Sequence, residues 1–488
     1  MIEHDVVLIG GEWVVVRGER ITVVSPSTEQ PIGSVPDSSS ATVDNAVAAA
    51  RGSFRGGTWR RMTVDARIEV LERALVLLED RLDEVGRIVT SEMGLPTRIA
   101  AMQIPGALSA ARWFMEAARE LPITEIRRGR SVAAVIREPV GVVASIAPWN
   151  GPFNMALSKV IPALVTGCSI VFKPAPETPL DAYVLAGALH DAAVPDGVFN
   201  LVTGGRDTGR ALVAHPEVNK VSFTGSTAAG EEIGAECGRR FARVQLELGG
   251  KSAAIVLDDA DVGAAVPALA TGAFGNTGQV CASFSRILAA RSRYDAVVDG
   301  LVAAAEALVV GDPFDQATTT GPLVSERQRD KVEGYIAVGA AEGAKLVTGG
   351  GRPEGLPRGW YVQPTVFAGA DNAMRICQEE IFGPVTAVVP YDTVDEAIAI
   401  ANDSRYGLHG GVFTQDPQRA LDVAGRVETG TFSVNTFAYN KEAPFGGVKC
   451  SGIGRDTGVE AVSAYHELKT INITPEMEPL FAGAPGAS

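Results

Sequence analysis

The chain has 488 residues, 46 % of them hydrophobic, and a mean hydropathy of +0.13, which bounds it to about three globular domains of ordinary size. Its 43 Lys and Arg against 58 Asp and Glu leave a net charge of −15, which argues against a nucleic-acid partner and against an anionic membrane surface. No apolar run reaches the ~18 residues that span a bilayer. The five cysteines (168, 237, 281, 377 and 450) lie far apart, with no Cys-x-x-Cys and no paired histidines, so neither a disulfide framework nor a metal site is expected. The start, Met1-Ile-Glu-His-Asp5, lacks the basic and apolar segments of a signal peptide, and a reducing, cytoplasmic location is expected.

Residues 1–40 read as short strands and turns punctuated by Pro26, Pro31, Gly33 and Pro36. Helical spacing runs from Thr42 to Ala50 and from Val64 to Glu92, with Ile68, Leu71, Ala74, Leu75 and Leu78 on one apolar stripe, and another helix is expected from Ile104 to Glu120. Thr124–Arg128 and Ser131–Arg137 form a charged hairpin around Gly129, whose exposed edge is expected to pair with another subunit. From Val140 the pattern turns regular. Strands are expected at Val140–Ala147, Ser169–Lys173, Phe199–Val202, Lys220–Phe223 and Val244–Glu247. Helices are expected between them at Asn154–Thr166, Pro179–Ala192, Asp207–Ala214 and Thr227–Cys237. This alternation defines a parallel, doubly wound sheet, in which ligands sit beyond the carboxyl ends of the strands. A second alternating region follows, with strands Ser285–Ala289, Ala344–Thr348 and Val385–Pro390 and helices Tyr294–Val309, Glu326–Glu342 and Val394–Asn402. The Pro/Gly/Ala-rich segment from Pro475 to Ser488 is expected to be loose.

The residues that can carry chemistry stand at strand ends or on turns. Cys281 follows Gly275, Asn276 and Gly278, which favour irregular backbone. On that segment alone a small buried thiol is the better reading, because most free cysteines are that. Glu247 closes an apolar strand, where desolvation raises a carboxyl toward general-base range; a salt-bridged acid is an equal reading. Asn150 can offer an N–H to a developing oxyanion or simply cap a turn. Gly225 and Ser226 open a helix whose free N–H groups suit a phosphate, and an ordinary N-cap fits equally. Gly249-Gly-Lys-Ser252 is not a P-loop, because position 245 is Gln. Gly452-Ile-Gly454-Arg-Asp-Thr-Gly458 misses the dinucleotide spacing by one residue and follows no expected strand.

Taken together, seven segments in order resemble the aldehyde dehydrogenase superfamily over nearly the whole chain. They are Pro148-Trp-Asn-Gly-Pro152, Lys173-Pro-Ala-Pro-Glu-Thr-Pro179, Phe223-Thr-Gly-Ser-Thr227, Leu246-Glu-Leu-Gly-Gly-Lys251, Gly278-Gln-Val-Cys281, Glu379-Glu-Ile-Phe-Gly-Pro384 and Pro444-Phe-Gly-Gly-Val-Lys449. The resemblance implies an α/β protein with a variant Rossmann cofactor domain, a second α/β catalytic domain and a small β oligomerisation hairpin. It places the NAD(P)-binding domain at 1–120 and 140–249 and the catalytic domain at 250–445. It places the oligomerisation segment at 121–139 and 460–480, with the last strand at Ala464–Ile473 pairing with the hairpin, and leaves a flexible tail at 481–488. It implies Cys281 as nucleophile, Glu247 as general base and Asn150 as oxyanion donor. It further implies Trp149, Lys173, Gly225, Ser226, Glu380 and Phe382 as cofactor-binding residues, no metal, and a homodimer or homotetramer.

Three departures from the family pattern bear on specificity. Pro176 stands where many members carry a Glu on the adenine ribose, so NAD is expected and NADP is open. Gly151 replaces a bulky aromatic after Asn150, and Ser158 replaces the Trp or Arg of betaine-aldehyde and succinate-semialdehyde types. A bulky uncharged aldehyde, aromatic or long-chain, is the substrate expected. The competing readings are a CoA-acylating semialdehyde dehydrogenase, whose members usually lack the general base that Glu247 would supply, and a non-catalytic cofactor-binding protein on the same fold.

Overall fold

The computed structural model describes residues 1–482; the expected tail beyond that lies outside the described residues. Strands and helices alternate as the hydrophobic pattern requires, and they build two large sheets. The first sheet runs in the order Gly452–Ile453, Arg243–Glu247, Lys220–Thr224, Val142–Ile146, Ser169–Lys173, Phe199–Leu201, Val6–Ile9, Glu12–Val15. Its five central strands are parallel, and antiparallel strands close both edges.

The strand Val142–Ile146 is apolar and fully buried because helices cover both faces. Val143 packs on the side of helices Val64–Glu79, Thr97–Glu120 and Pro152–Val165. Val142 and Ala144, pointing the other way, pack on the side of helices Ser40–Gly56, Arg206–Ala214 and Thr227–Arg240. From Val142–Ile146 the chain steps outward through Ser169–Lys173 to Phe199–Leu201. It then returns to the opposite side at Lys220–Thr224. That reversal makes a topological switch point, and the loops after Ile146 and Thr224 flank the crevice that opens there.

The second sheet has the order Lys345–Thr348, Thr365–Ala368, Val385–Tyr391, Arg286–Ala290, Ala253–Val256, His409–Phe413, Thr431–Val434, parallel except at the first strand. A separate antiparallel sheet sets Val132–Pro139 between Thr124–Arg128 and His466–Ile473. The hairpin therefore pairs with a late strand of its own chain, and among the described residues no further strand pairs with the outer edges of this sheet. No helix of the described residues is long and apolar enough to cross a membrane.

Several expectations change. The helix expected over 64–92 breaks into Val64–Glu79 and Leu82–Met93. The helix expected at Ile104 begins at Thr97, with Pro105 in its third turn. Gly452–Ile453, set aside as following no strand, is itself a strand that pairs with Leu246 and Glu247. Glu478–Ala482, expected to be loose, is helical, and Arg128 donates to Glu478.

Helix Pro152–Val165 carries the Asn150 loop at its start and buries Phe153 at 1 % exposure. Replacing Phe153 by Ala removes a fully buried ring, a change that typically costs ~3–5 kcal/mol. A marked drop in thermal midpoint by scanning calorimetry is the expected result.

Candidate active site

Cys281 is presented by a backbone conformation that side chains resist. The turn before it holds three consecutive residues in the left-handed region: Asn276 (φ 52°, ψ 37°), Thr277 (φ 56°, ψ 34°) and Gly278 (φ 68°). Such a conformation costs ~1–2 kcal/mol for each residue other than glycine, and the β-branched Thr277 is the least suited to it. It persists because neighbours over-determine it. Thr277 Oγ1 donates to the Gly321 carbonyl at 3.1 Å, and Val324 N–H donates to Gln279 Oε1 at 3.0 Å. Gly278 packs on the Gly383 carbonyl, where a Cβ would come to 2.0 Å.

Asn150 reaches this turn from the first sheet. Its side-chain amide donates to the Gln279 carbonyl at 2.9 Å, and its own carbonyl accepts from Asn276 Nδ2 at 2.9 Å. One of the two Asn150 N–H groups is thereby fixed, and the other has no partner among the described residues. Glu247, the last residue of Arg243–Glu247, is 3 % exposed, and neither of its carboxylate oxygens has a hydrogen-bond partner among the described residues. Between Glu247 and the second sheet the chain passes through Gly249 and Gly250. A Cβ at Gly249 would lie 2.4 Å from Glu380 Oε2, and one at Gly250 would lie 2.3 Å from the Cys281 carbonyl. Gly250 meets fixed backbone and requires glycine, whereas a side chain at Gly249 would displace the Glu380 carboxylate.

Burial governs the electrostatics. Desolvation, then the nearby charges of Glu247 and Glu380, pushes the Cys281 thiol well above its ordinary value, although part of the residue stays open to the crevice. Glu247 is likewise held well above the usual carboxylate range, by desolvation and then by Asp456, with Lys159 and Arg455 opposing. Lys159 and Asp456 form a buried ion pair at 3.0 Å beneath it, at 0 % and 5 % side-chain exposure. Ser222, Thr224 and Gln245 complete this buried network.

The cofactor candidates divide into two groups. Glu380 and Phe382 line one cavity together with Cys281 and Gly250. Glu380 Oε1 accepts from the Gly250 N–H at 3.0 Å. Phe382, at φ 61°, meets the Trp149 ring edge-to-face at 5.2 Å and 86°, so the Trp149–Asn150 loop and the Glu380–Phe382 segment touch. Lys173, Gly225 and Ser226 stand at the ends of strands of the first sheet and do not line that cavity. The Lys173 ammonium is buried, which lowers it to about 8, and it donates to the Pro174 carbonyl at 3.1 Å. Ser226 Oγ caps helix Thr227–Arg240, and a Cβ at Gly225 would lie 2.4 Å from the Phe223 ring. A nicotinamide dinucleotide fits this donor set: free N–H groups at the Ser226 helix start for phosphate, Lys173 and Glu380 for the sugars, and an open thiol beside Phe382. Among the described residues no cluster of His, Cys, Asp and Glu could hold a metal ion.

The sequence marks Asn276 only as part of an irregular turn and Asp456 only as part of a glycine-rich segment, and it gives no sign of Lys159. The glycines around Asp456 were the available signal: a Cβ at Gly452 would lie 1.9 Å from the Leu246 carbonyl, so this segment must approach the Glu247 strand closely.

Two α/β sheets thus bring a partly open thiol and a buried strand-end carboxyl to one crevice, an arrangement that suits a nucleotide-linked enzyme. The chain belongs to the aldehyde dehydrogenase family, whose model matches residues 13–471, and it is an NAD(P)-dependent aldehyde dehydrogenase. It is 45 % identical over 474 residues to geranial dehydrogenase of Castellaniella defragrans, covering 96 % of this chain and 99 % of that one. A Mycobacterium tuberculosis aldehyde dehydrogenase complexed with NAD+ superposes with a TM-score of 0.95 at 45 % identity, over 97 % of this chain and 98 % of its own. Aldehyde dehydrogenase C from Pseudomonas syringae, solved as a cysteine-to-alanine mutant with NAD+ and octanal, superposes with a TM-score of 0.93 at 41 % identity, over 96 % of each chain.

Because the Glu247 charge raises the Cys281 thiol, Glu247→Gln should lower the pH at which iodoacetamide alkylates Cys281. An alkylation profile unmoved by the substitution would separate the two groups electrostatically.

Proposed function

We propose that this enzyme oxidises bulky, uncharged aldehydes to carboxylic acids with NAD, Cys281 acting as nucleophile, Asn150 as oxyanion donor and Glu247 as the base that activates water. The observation that carries the reading is the convergence of the Cys281 turn and the Asn150 amide at one crevice, with Glu247 close enough to raise the thiol. In outline, the Cys281 thiolate attacks the aldehyde carbon, and the free Asn150 N–H supports the oxyanion that forms. Bound NAD supplies the acceptor for the hydride that leaves that carbon. Glu247 then takes a proton from water, the hydroxide adds to the thioester on Cys281, and the acid leaves as the thiol is released. Glu247 is what favours hydrolysis over transfer to coenzyme A.

The substrate class is read from the uncharged side chains around the Cys281 turn and the Asn150 loop. Phe284, Phe437, Tyr439 and Phe445 form a run of edge-to-face contacts at 4.9, 5.2 and 5.4 Å. His409, stacked on Phe284, is held neutral by burial, which lowers it to about 4. At Gly151 the nearest atom to a Cβ would be Met155 Cγ at 3.9 Å, which leaves open volume beside Asn150. Ser158 turns its hydroxyl to the Met155 carbonyl at 3.1 Å and presents no charge. The names geranial dehydrogenase and octanal, attached to a relative and to a solved neighbour, point to aldehydes of the same uncharged, long-chain kind.

We further read 1–120 with 140–249 as the cofactor-binding part and 250–445 as the catalytic part. The free edges of the sheet built from 121–139 and 460–480 would join copies into a homo-oligomer. Five free cysteines suit a reducing, cytoplasmic setting.

Aromatic and long-chain aldehydes should turn over with higher kcat/KM than acetaldehyde or succinate semialdehyde, read from the absorbance of reduced cofactor; the reverse ranking would sink the substrate assignment. Cys281→Ala should abolish turnover while NAD still binds. Both working groups act deprotonated and both are held above their ordinary values, so kcat/KM should rise with pH and should still be rising at the ordinary thiol value of 9.0; a profile that levels off below that value would count against the assignment.

A further inference from the structure

We propose that Asn276 is a positioning residue for the oxyanion site, fixing Asn150 against the Cys281 turn and acting on the reaction only through Asn150. The inference rests on the roles of Cys281 and Asn150 proposed above. Its basis is a closed ring of hydrogen bonds across the crevice. Asn276 Nδ2 donates to the Asn150 carbonyl at 2.9 Å, and Asn150 Nδ2 donates to the Gln279 carbonyl at 2.9 Å. Gln279 sends its backbone N–H, at 3.0 Å, and its Nε2, at 3.3 Å, back to the Asn276 carbonyl. Asn276 Nδ2 also lies 3.4 Å from the Gln279 carbonyl, so both asparagine amides converge on that oxygen. Asn150 comes from a strand end of the first sheet, whereas Asn276 and Gln279 belong to the turn that carries Cys281. The ring therefore sets the distance between the free Asn150 N–H and the thiol, and it fixes the plane of the Asn150 amide.

Position 276 makes two demands at once. Its backbone sits at φ 52°, which Asn, Asp and Gly tolerate better than other residues. Its side chain must also donate a hydrogen bond to a carbonyl at 2.9 Å. Asp tolerates the backbone but presents only acceptors, and Gly tolerates it but presents nothing. These two variants therefore separate backbone tolerance from the hydrogen bond.

The test uses 4-nitrophenyl acetate, which needs no cofactor. Cys281 Sγ adds to the ester carbonyl, the C–O bond breaks, and 4-nitrophenolate leaves with the acyl group on sulfur as a thioester. The burst rate reports support of the oxyanion, and the burst amplitude counts competent thiols. Asn276→Asp and Asn276→Gly should each slow the burst by about 10²-fold, the loss typical of an oxyanion donor out of place. Amplitude and NAD affinity should stay at wild-type values. The double variant Asn150→Ala/Asn276→Gly should be no slower than Asn150→Ala alone, since the second change removes only support for a group already absent. A wild-type burst rate in Asn276→Gly, a loss of amplitude instead of rate, or multiplicative slowing in the double variant would each overturn the proposal. A wild-type enzyme with neither a burst nor aldehyde oxidation would instead remove the reading of Cys281 itself, and this inference with it.

Discussion

The crevice is referenced to one short crossing, Leu248–Ser252, where the chain leaves the first sheet after Glu247 and enters the second at Ala253. Two glycines make that crossing possible. Gly249 lies against the Glu380 carboxylate, and Gly250 lies against the Cys281 carbonyl while donating its N–H to Glu380. A carboxyl, a thiol and a second carboxyl thus gather around a few residues of backbone. Their spacing is set by the short crossing and by the contact of Gly250 with the Cys281 carbonyl, which is too close for any side chain.

That proximity has an electrostatic cost. Burial disfavours charge on all three groups and holds each above its ordinary value; the thiol alone is raised further by the two carboxyls, and Glu247 by Asp456. The Lys159–Asp456 pair beneath Glu247 works in both directions: the lysine favours the ionised carboxylate and the aspartate opposes it. A buried pair of this kind is weak evidence for stability. Its position, bonded to Ser222, Thr224 and Gln245 on the strands beside and including that of Glu247, makes it a fixed charge pattern for the site.

Much of this was legible in the sequence where chemistry is local. The apolar runs at Val142–Ile146 and Ser169–Lys173 declare buried parallel strands, and the residues after them declare the crevice. The glycine-rich approach to Cys281 declares an irregular turn. What stayed hidden depends on distant partners. The central strand Ala253–Val256 is short, and its alanines carry little strand signal, so only its neighbours Arg286–Ala290 and His409–Phe413 define it. Asp456 acquires its meaning from Lys159 and Gln245, far away in the chain. Asn276 reads as an ordinary loop asparagine until its amide is seen against Asn150.

The aromatic run draws on two parts of the chain. Phe437, Tyr439 and Phe445 belong to the loop beyond strand Thr431–Val434, whereas Cys281, Asn150 and Glu247 hang from the turn and strand ends that the crossing and the hydrogen-bonded ring tie together. Phe284, which meets Phe437 ring to ring at 4.9 Å, stands on the segment that carries Cys281, so the run ties this loop to the thiol turn. At its far end the same loop accepts the Asp456 N–H at the Phe445 carbonyl, at 2.8 Å, so a change of shape in residues 435–445 is felt both at the thiol turn and at the charge pair beside Glu247.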